Sequence, residues 1–357
     1  PAPRPEHRVV VLAVDLELDS DVVVFFGDNG QGKTNLLEAV YLLANLKSFR
    51  NARRTDLVRW GCRHAAVTAE VADRQIVRHF EVRLEGSTRR VRVDGKDPRS
   101  LVSYFSGIRA IAFTPEDPTM LRGGPAGRRA FLDRGVFLMR ADHLDLVRQY
   151  ARLLDQKGAL LKAPGADRAQ IELWNDQLAR LGAEIVSRRA SFVEGLQPPL
   201  AAVHAALVPG ETTLSVSYRS CCEPGDVEDL ARKLEQKLDQ EMDRRQTLVG
   251  PHREDLRVQL DARDLRTFGS QGQVRSAALS LKLGLLGLAS QGSDDPPLFL
   301  LDDLGSELDP GRNARLLELL ADHGSQLLVA TTTLDHVPLD RDSYPSHRVE
   351  AGSIAQA

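Results

Sequence analysis

The stretch Gly27-Asp28-Asn29-Gly30-Gln31-Gly32-Lys33-Thr34 decides the fold. It matches the P-loop pattern, in which two glycines are followed by lysine and then serine or threonine. The continuous apolar run Val22–Phe26 before it predicts a strand buried on both faces, and apolar residues recur at helical spacing after it. A phosphate-binding loop requires this context of strand, glycine-rich loop and helix. The sequence therefore predicts an α/β fold that holds a nucleoside triphosphate on this loop.

The residues of the loop have expected roles. The glycines let backbone N–H groups turn inward around a β-phosphate, at the positive end of the helix that follows. We expect Lys33 to reach the β- and γ-phosphates and the Thr34 hydroxyl to ligate Mg²⁺. The expected ATP-binding residues of this segment are Gly27, Asp28, Asn29, Gly30, Gln31, Gly32, Lys33, Thr34 and Asn35.

A second metal ligand is expected at the end of another strand. The run Leu298–Leu301 is strongly apolar and is followed by Asp302 and Asp303. A core strand that ends in aspartate places the carboxylate at the carboxyl edge of the sheet, beside the phosphates. We therefore expect Asp302 to bind Mg²⁺ and Asp303 to orient or deprotonate the attacking water. Without the P-loop, a solvated aspartate at a strand end would explain the pattern equally well.

A signature-like stretch lies upstream of the paired aspartates. Ser270-Gln271-Gly272-Gln273 precedes an apolar helical pattern over Val274–Leu288, and Ser306-Glu307-Leu308-Asp309 follows the aspartates. Alone, the first stretch is typical of an ordinary helix N-cap. The order of P-loop, Ser-x-Gly-Gln, strand with aspartate and D-loop resembles that of the ATP-binding-cassette superfamily. This resemblance implies that the γ-phosphate of an ATP held by a second subunit is contacted by Ser270, Gly272 and Gln273.

The chain changes character twice. Residues 1–117 and 246–357 have α/β patterns, whereas residues 118–245 have mostly helical ones. We therefore expect an ATP-binding lobe that is split in the sequence and a mainly helical lobe inserted into it. The prolines Pro198-Pro199 are expected to interrupt the helical patterns. The other expected elements are strands at Val9–Leu12, Gln75–Leu84, Arg89–Asp94, Thr213–Tyr218 and Gln326–Ala330, and helices at Ala130–Arg140, Leu144–Leu161, Ile171–Leu196 and Val227–Met242.

Composition narrows the class of protein. The 357 residues are 42% hydrophobic and 27% charged, which is ordinary for a soluble globular chain. No segment is apolar and long enough to predict a transmembrane helix, and no secretory signal pattern follows Pro1. Cys62, Cys221 and Cys222 lack metal-ligand spacing, which favours reduced thiols. We expect a cytoplasmic protein that does not act at a membrane.

The distribution of charge is uneven. A net charge of −3 argues against a uniformly basic surface for nucleic acid. Arginines nevertheless cluster within residues 50–63 and within residues 122–140, each time with a single aspartate. Clustered arginines neutralise phosphates locally even in an acidic protein. They are equally typical of solvated faces or intramolecular ion pairs, and both interpretations stay open.

Five stretches carry a closer resemblance. They are Gly27–Ala39, Phe113–Asp117, Gly124–Asp133, Leu248–Leu256 and the pair Asp302-Asp303, where a transporter cassette usually has glutamate second. Together they resemble the RecF family, which is related to the Rad50 and SMC heads. The resemblance extends from Val9 to about Thr333. It implies an ABC-type P-loop ATPase lobe with an inserted, mainly helical lobe, as in the Rad50 head.

The same resemblance implies a function. RecF proteins bind DNA in an ATP-dependent way, dimerise on ATP and hydrolyse it slowly, with ATP and Mg²⁺ as cofactors. They act on duplex DNA near single-strand gaps, and with RecR and RecO they help RecA replace single-strand-binding protein. An ATP-gated clamp with negligible turnover is a variant of this hypothesis that stays open.

Two alternatives belong to other classes: a transporter cassette subunit, and a structural head of the SMC or Rad50 type. The long insertion and the aspartate at position 303 count against a transporter. SMC and Rad50 proteins have very long heptad-repeat arms between the P-loop and the signature. Here 236 positions (270 − 34) separate Thr34 from Ser270, and prolines interrupt the helical patterns between them.

Several positions have two interpretations. Ala13–Asp21 lacks the family's Asn-Phe-Arg motif, so that either residues are missing or a contact to adenine or DNA is altered. Thr332 either bonds a γ-phosphate or caps its strand. Glu116-Asp117 either senses the metal or the water, or caps a plain turn. His252-Arg253 is either a buried structural pair or a nucleotide contact, and Arg128-Arg129 either meets a phosphate or carboxylate or lies exposed on a helix.

Overall fold

The structure is a computed structural model that describes residues 14–73, 76–165, 167–210, 212–293, 295–305 and 310–356. Two expectations fall outside these residues. They are the strand at Val9–Leu12 and the D-loop at Ser306–Asp309.

Helices and strands alternate in the first third and the last quarter of the chain, and long helices occupy the middle. The strands are β1 (Val22–Phe26), β2 (His64–Asp73), β3 (Ile76–Glu85), β4 (Thr88–Val93), β5 (Ala110–Phe113), β6 (Leu214–Arg219), β7 (Asp255–Leu260), β8 (Arg263–Asp264), β9 (Leu298–Leu304), β10 (Leu327–Thr331), β11 (Ser346–Glu350) and β12 (Ser353–Gln356). The α-helices are α1 (Lys33–Asn45), α2 (Leu101–Phe105), α3 (Asp117–Arg122), α4 (Pro125–Met139), α5 (His143–Lys162), α6 (Arg168–Leu207), α7 (Val227–Arg244), α8 (Leu265–Phe268), α9 (Gln271–Ser290) and α10 (Pro310–Asp322).

The chain folds into two compact units. The first takes its residues from 1–117, 206–209 and 279–357, and the second from 118–205 and 210–278. The second unit begins at residue 118. We expected the return to the first lobe at residue 246, but residues 246–278 belong to the second unit. The physical reason is that β7 pairs with β6 in antiparallel register from Leu214↔Leu260 to Arg219↔Asp255, which ties this segment to the inserted part of the chain.

The first unit is built on a six-stranded sheet with the order β12-β11-β1-β10-β9-β5. Its strands β5, β9, β10, β1 and β11 are parallel, and only the edge strand β12 runs antiparallel to its neighbour. All five residues of β10 are buried, as are Val23 and Val24 of β1. Central parallel strands are covered on both faces, which is why their sequences are continuous apolar runs. The predicted strands next to the P-loop and before Asp302 are therefore confirmed.

A separate three-stranded antiparallel sheet, β2-β3-β4, completes the first unit. The predicted hairpin is present as β3 and β4, joined at Glu85 and Thr88. Strand β2 was not predicted from the sequence, although all ten of its residues pair with β3. Four of those ten residues are alanine, so the segment has neither the β-branched enrichment nor the strong alternation that predicts a strand.

The second unit is mainly helical and also contains the small sheet β6-β7-β8. Its longest helix, α6, has 40 residues and contains Pro198 and Pro199. The expected interruption at these prolines is wrong. Each proline removes one helical hydrogen bond. Leu196 and Leu200, on either side of the pair, are both fully buried, so apolar packing holds the helix where its backbone bonding is weakest.

An ion pair lies inside the second unit. Lys157 of α5 and Glu241 of α7 have side chains with 0% exposure, and their charged atoms are 2.5 Å apart. The ammonium also donates to Asn175 Oδ1 at 2.5 Å. Burial lowers the pKa of Lys157, whereas the bond to Glu241 acts in the opposite direction. A second carboxylate oxygen accepts from the backbone N–H of Leu248, so the carboxylate is bonded on both oxygens.

Removing one partner of this pair leaves the other charge buried without compensation. We expect Lys157→Met to lower the free energy of unfolding by about 3–5 kcal/mol. The double variant with Glu241→Leu should recover most of the loss, because no unpaired charge remains. Urea unfolding followed by circular dichroism measures both. The exposed Lys162→Met is the control and should lie within about 0.5 kcal/mol of the unaltered protein. If Lys157→Met also lies within that margin, the pair does not have this role.

Candidate nucleotide-binding site

The predicted P-loop connects β1 to α1. Gly27 and Gly32 have φ of 146° and 113°, backbone conformations that residues other than glycine rarely adopt. At Gly27 there is also no room, because a Cβ would lie 2.3 Å from the carbonyl oxygen of Val349. Gly32 is the residue before the helix, and the backbone N–H groups of Asn35 and Leu36 donate back to its carbonyl. The loop thus ends at a helix N-terminus, where unpaired N–H groups and the helix dipole favour an anion.

Lys33, the first residue of α1, folds back over the loop. Its ammonium donates to the carbonyl oxygens of Gly27 at 2.5 Å and of Asp28 at 2.8 Å. The residue is 7% exposed, and burial lowers its pKa, whereas Asp303 and Asp302 raise it. The two carbonyls hold the cation at the position where the loop curves. A phosphate oxygen carries more negative charge than a carbonyl, so bound phosphate would compete for the same ammonium.

The two expected metal ligands lie next to each other. The hydroxyl of Thr34 donates to Asp302 Oδ1 at 2.9 Å, which joins the start of α1 to β9. Asp302 is 8% exposed, and burial raises its pKa to about 6, whereas the bond from Thr34 and the charge of Arg50 act in the other direction. One hydroxyl and one carboxylate beside a phosphate site fit Mg²⁺, which prefers hard oxygen ligands and binds through few protein groups plus phosphates.

Asp303 occupies an unusual backbone position. Its φ is 62°, in the left-handed region. The pairing of β9 with β10 shifts here, from Leu301↔Val329 to Leu304↔Thr331, so a bulge lies at the paired aspartates. Bulges next to active sites redirect side chains, and non-glycine residues in this region cluster at functional sites. Because both Asp302 and Asp303 act on the pKa of Lys33, the second carboxylate lies within electrostatic range of the P-loop cation.

The signature-like stretch lies at the start of α9, in the second unit. Helix α9 begins at Gln271, three residues before the expected start at Val274. The N–H of Gln273 donates to Ser270 Oγ at 3.2 Å, and the N–H of Ser270 donates to Gln273 Oε1 at 2.8 Å. This reciprocal pair is a capping box. Ser270 therefore caps helix α9 in this structure. The capping box leaves Ser270, Gly272 and Gln273 exposed, with open space around Gly272.

A cavity of about 370 Å³ adjoins the P-loop within the first unit. It is lined by Gly27, Asp28 and Gln31 of the loop and by Thr332. Thr332 therefore lies on the same cavity as the nucleotide-binding loop. The cavity also has lining residues that no sequence motif indicated. They include Asp335, Arg341, Arg348 and Glu350.

Gln31 connects this cavity to the C-terminal hairpin. Its side-chain oxygen accepts from the N–H of Ala351 at 2.6 Å, and its carbonyl accepts from the N–H of Gly352 at 3.1 Å. The turn between β11 and β12 is thereby fixed to the P-loop. The hint in the sequence was weak, since arginines in a C-terminal hairpin are usually solvated.

Asp117 and Arg50, two further residues of the first unit, make structural contacts. Asp117 accepts from the N–H of Thr114 at 2.8 Å and pairs with Lys282 at 2.8 Å, as expected of a carboxylate that caps a turn. Arg50, from the first arginine cluster, donates to Asn35 at 2.7 Å and pairs with Glu38. It supports helix α1.

In the second unit, Arg128 and His252 also make structural contacts. Arg128 is 3% exposed, and it holds Asp255 with two bonds of 2.7 and 2.8 Å. This is the carboxylate partner that the sequence allowed. His252 bonds Tyr150 through Nδ1 at 2.9 Å, and burial lowers the pKa of His252 to about 4. A neutral, buried imidazole suits a structural group.

Comparison with known proteins identifies the family. A family model described as RecF/RecN/SMC N terminal domain matches residues 11–344. A DNA replication and repair protein RecF from Geotalea daltonii is 35% identical over 339 residues, covering 93% of this chain and 92% of the relative. A RecF protein from Myxococcus xanthus is 39% identical over 329 residues, covering 89% of this chain and 87% of the relative. This chain belongs to the RecF family.

The fold comparison agrees. A solved structure of the recombination mediator protein RecF with ATPrS in the RecFOR pathway has a TM-score of 0.87 at 28% identity, and covers 98% of this chain and 95% of its own. A second solved structure, of RecF with ATP, has a TM-score of 0.84 at 28% identity. It covers 94% of this chain and 93% of its own. An Smc head from Pyrococcus furiosus has a TM-score of 0.51 at 14% identity, which shows a shared fold alone. The expected ABC-type ATPase fold related to SMC heads is confirmed.

Within the described residues, no helix of this RecF-family chain combines the length and hydrophobicity that crossing a membrane requires.

The P-loop geometry leads to a test. We expect Gly27→Ala to weaken binding of a fluorescent ATP analogue at least tenfold, about 1.4 kcal/mol, because the added methyl group collides with the Val349 carbonyl and the φ of 146° is strained. Gly124→Ala is the matched control, since Gly124 has φ of −68° and open space around it. Equal affinity of Gly27→Ala and the unaltered protein would contradict the assigned loop conformation.

Proposed function

We propose that this protein is an ATP-dependent, DNA-binding recombination mediator of the RecF type. The observation that carries the proposal is that Lys33 bonds the P-loop and Thr34 bonds Asp302, in a chain whose fold matches nucleotide-bound RecF along nearly its whole length. The curated relatives are named as DNA replication and repair proteins, and the solved relative is named as a recombination mediator. These names support DNA as the macromolecule whose binding is coupled to ATP.

In this proposal ATP binds with Mg²⁺ on Gly27–Thr34. The loop N–H groups and the helix dipole of α1 hold the β-phosphate, and Lys33 leaves its two carbonyl partners for the β- and γ-phosphates. Thr34 and Asp302 would hold the metal, which neutralises phosphate charge. Asp302 must then be ionised, and a divalent cation beside it favours the ionised form.

The site on one chain is incomplete without a second copy. Ser270, Gly272 and Gln273 are exposed at the N-terminus of α9, where the helix dipole favours an anion. We propose that these residues close over the γ-phosphate of an ATP bound to the partner, so that two ATP molecules are buried in a homodimer. ATP then binds the dimer better than the monomer, and mass action links nucleotide to assembly.

Hydrolysis ends the dimer in this proposal. Asp303, held in its left-handed conformation on the bulge of β9, would orient the attacking water. Loss of the γ-phosphate removes the bridge between the two chains. Turnover is expected to be slow, because the nucleotide serves as a timer for residence on DNA.

The proposed substrate is duplex DNA beside a single-strand gap in the cytoplasm. RecR and RecO are the proposed partners, and loading of RecA in place of single-strand-binding protein is the proposed outcome. The support is the family and the RecFOR pathway named for the solved relative.

The dimer is tested by molar mass in solution. We expect the mass to double when ATP and Mg²⁺ are added, to stay monomeric in Lys33→Ala because the γ-phosphate is no longer held, and to stay monomeric in Ser270→Arg because the added side chain fills the contact. Light scattering coupled to gel filtration measures this, with and without gapped DNA.

Nucleotide binding separates the two variants. Ser270→Arg should bind a fluorescent ATP analogue as a monomer with unchanged affinity, whereas Lys33→Ala should lose binding. A mass that never rises, or that rises equally in Lys33→Ala, would refute the ATP-dependent dimer.

The metal site has its own test. In the unaltered protein, Mg²⁺ should raise the affinity for ATP, and in Asp302→Asn this dependence should disappear, because the neutral amide is a poor magnesium ligand. Titration with a fluorescent ATP analogue at several Mg²⁺ concentrations measures the effect. The exposed Asp97→Asn, which removes the same charge elsewhere in the first unit, is the control. If both variants retain the full Mg²⁺ dependence, Asp302 is not the metal ligand.

A further inference from the structure

Trp60 is the most exposed large hydrophobic residue among the described residues, with 80% of its surface accessible. A tryptophan on the surface exposes a large apolar area to water, and such area on a folded protein commonly marks a binding site. Trp60 lies between a short 3₁₀ helix (Arg54–Leu57) and strand β2 of the first unit.

A tight turn holds Trp60 outward. The N–H of Cys62 donates to the carbonyl of Arg59 at 3.0 Å, so Trp60 and Gly61 are the two central residues of a β-turn. Gly61 has φ of 80°, as the second central residue of a type II turn requires. The indole is therefore presented at the tip of a defined turn.

The loop that carries this turn is anchored at both ends. Arg54 donates to the carbonyl of Ser87 in the β3–β4 turn at 2.8 Å. Val58, two residues before the tryptophan, is buried, and strand β2 begins at His64. An aromatic side chain on a fixed loop loses little conformational entropy when it stacks on a ligand.

The surroundings of Trp60 are basic. The segment 53–63 contains four arginines and one aspartate, a net charge of +3. Arg54 is the one that anchors the loop. Arg53, Arg59 and Arg63 are exposed, and their guanidinium groups make no hydrogen bond or ion pair within the part of the chain that the structure describes. Their charges are therefore available to an anionic partner.

An exposed aromatic ring among unpaired arginines matches the chemistry of a nucleic acid strand. The ring stacks on a base of any sequence, and the guanidinium groups neutralise the neighbouring phosphates. Stacking needs an accessible base face, which an intact duplex offers only at its ends. We propose that Trp60 stacks on an unpaired base of single-stranded DNA next to a duplex, with Arg53, Arg59 and Arg63 on its phosphates. This inference rests on the proposed DNA-binding function and assigns to it the surface that detects the gap.

Fluorescence gives a direct test because the chain has two tryptophans, Trp60 and Trp174. In Trp174→Phe the signal comes from Trp60 alone. With ATP and Mg²⁺ present, gapped DNA should quench this signal. A Trp60→Phe variant, which retains Trp174 in the second unit, should show no comparable quench.

Affinity is measured by anisotropy of labelled DNA. We expect Trp60→Ala to bind gapped DNA about tenfold more weakly, in line with the loss of one stacked base. Trp60→Phe should retain most of the affinity. Arg59→Ala and Arg63→Ala should each lower the slope of log affinity against log salt by roughly one. A duplex closed by hairpins at both ends should be bound equally by Trp60→Ala and the unaltered protein.

Leu173→Ala, which removes another exposed apolar side chain, is the matched control and should change nothing. All variants should bind a fluorescent ATP analogue with unchanged affinity. Equal affinity of Trp60→Ala and the unaltered protein for gapped DNA overturns the inference, as does an equal loss on the closed duplex. If the unaltered protein binds gapped DNA and only the Trp60 effects are missing, the proposed function stands and this inference fails. If it binds no DNA in any form, both fail.

Discussion

The hydrogen bond from Thr34 Oγ1 to Asp302 Oδ1 joins two residues that are 268 positions apart in the sequence. It exists because β9 lies one strand away from β1 in the central sheet, with β10 between them in parallel register. Every parallel strand in that part of the sheet ends at the same edge, so the loop after β1 and the aspartate on β9 meet there. The first unit can therefore be split in the sequence without losing the site. The chain can leave for a whole second unit and return, provided that β9 comes back to its position.

Without a bound nucleotide, buried charges and backbone strain at the site lower the stability of the folded first unit. Asp302 is almost fully buried, and burial raises its pKa because it disfavours the charged form. Lys33 is also buried, with carbonyl oxygens as its bonding partners, and Asp303 holds a left-handed backbone. Bound phosphate and Mg²⁺ would supply the opposite charges that these groups lack. Binding free energy is therefore available to stabilise the first unit and to favour any assembly that buries the nucleotide further.

How much the sequence predicted depended on how local each feature is. The P-loop, α1, the strand before Asp302 and the position of Thr34 beside it followed from short motifs and continuous apolar runs. The boundary at residue 279 did not, because the partner of β7 is a strand some forty residues upstream, and pairing over such distances leaves no local pattern. The path of α6 through Pro198 and Pro199 depends on burial of leucines on either side, which proline statistics do not include. Arg341 and Arg348 reach the cavity only through the fold.

The arginine clusters show most clearly what a count of charges omits. Both were equally basic in the sequence. In the second unit a carboxylate comes from a distant segment, because Asp255 pairs with Arg128 of the second cluster across 127 positions of sequence. The charge of Arg128 is therefore neutralised within the fold. Around Trp60, the side chains of Arg53, Arg59 and Arg63 pair with no carboxylate among the described residues. The local excess of positive charge therefore remains at the surface. A protein with a net charge of −3 can therefore present a basic surface for a polyanion, because the acidic residues that produce the net value lie elsewhere or are paired internally.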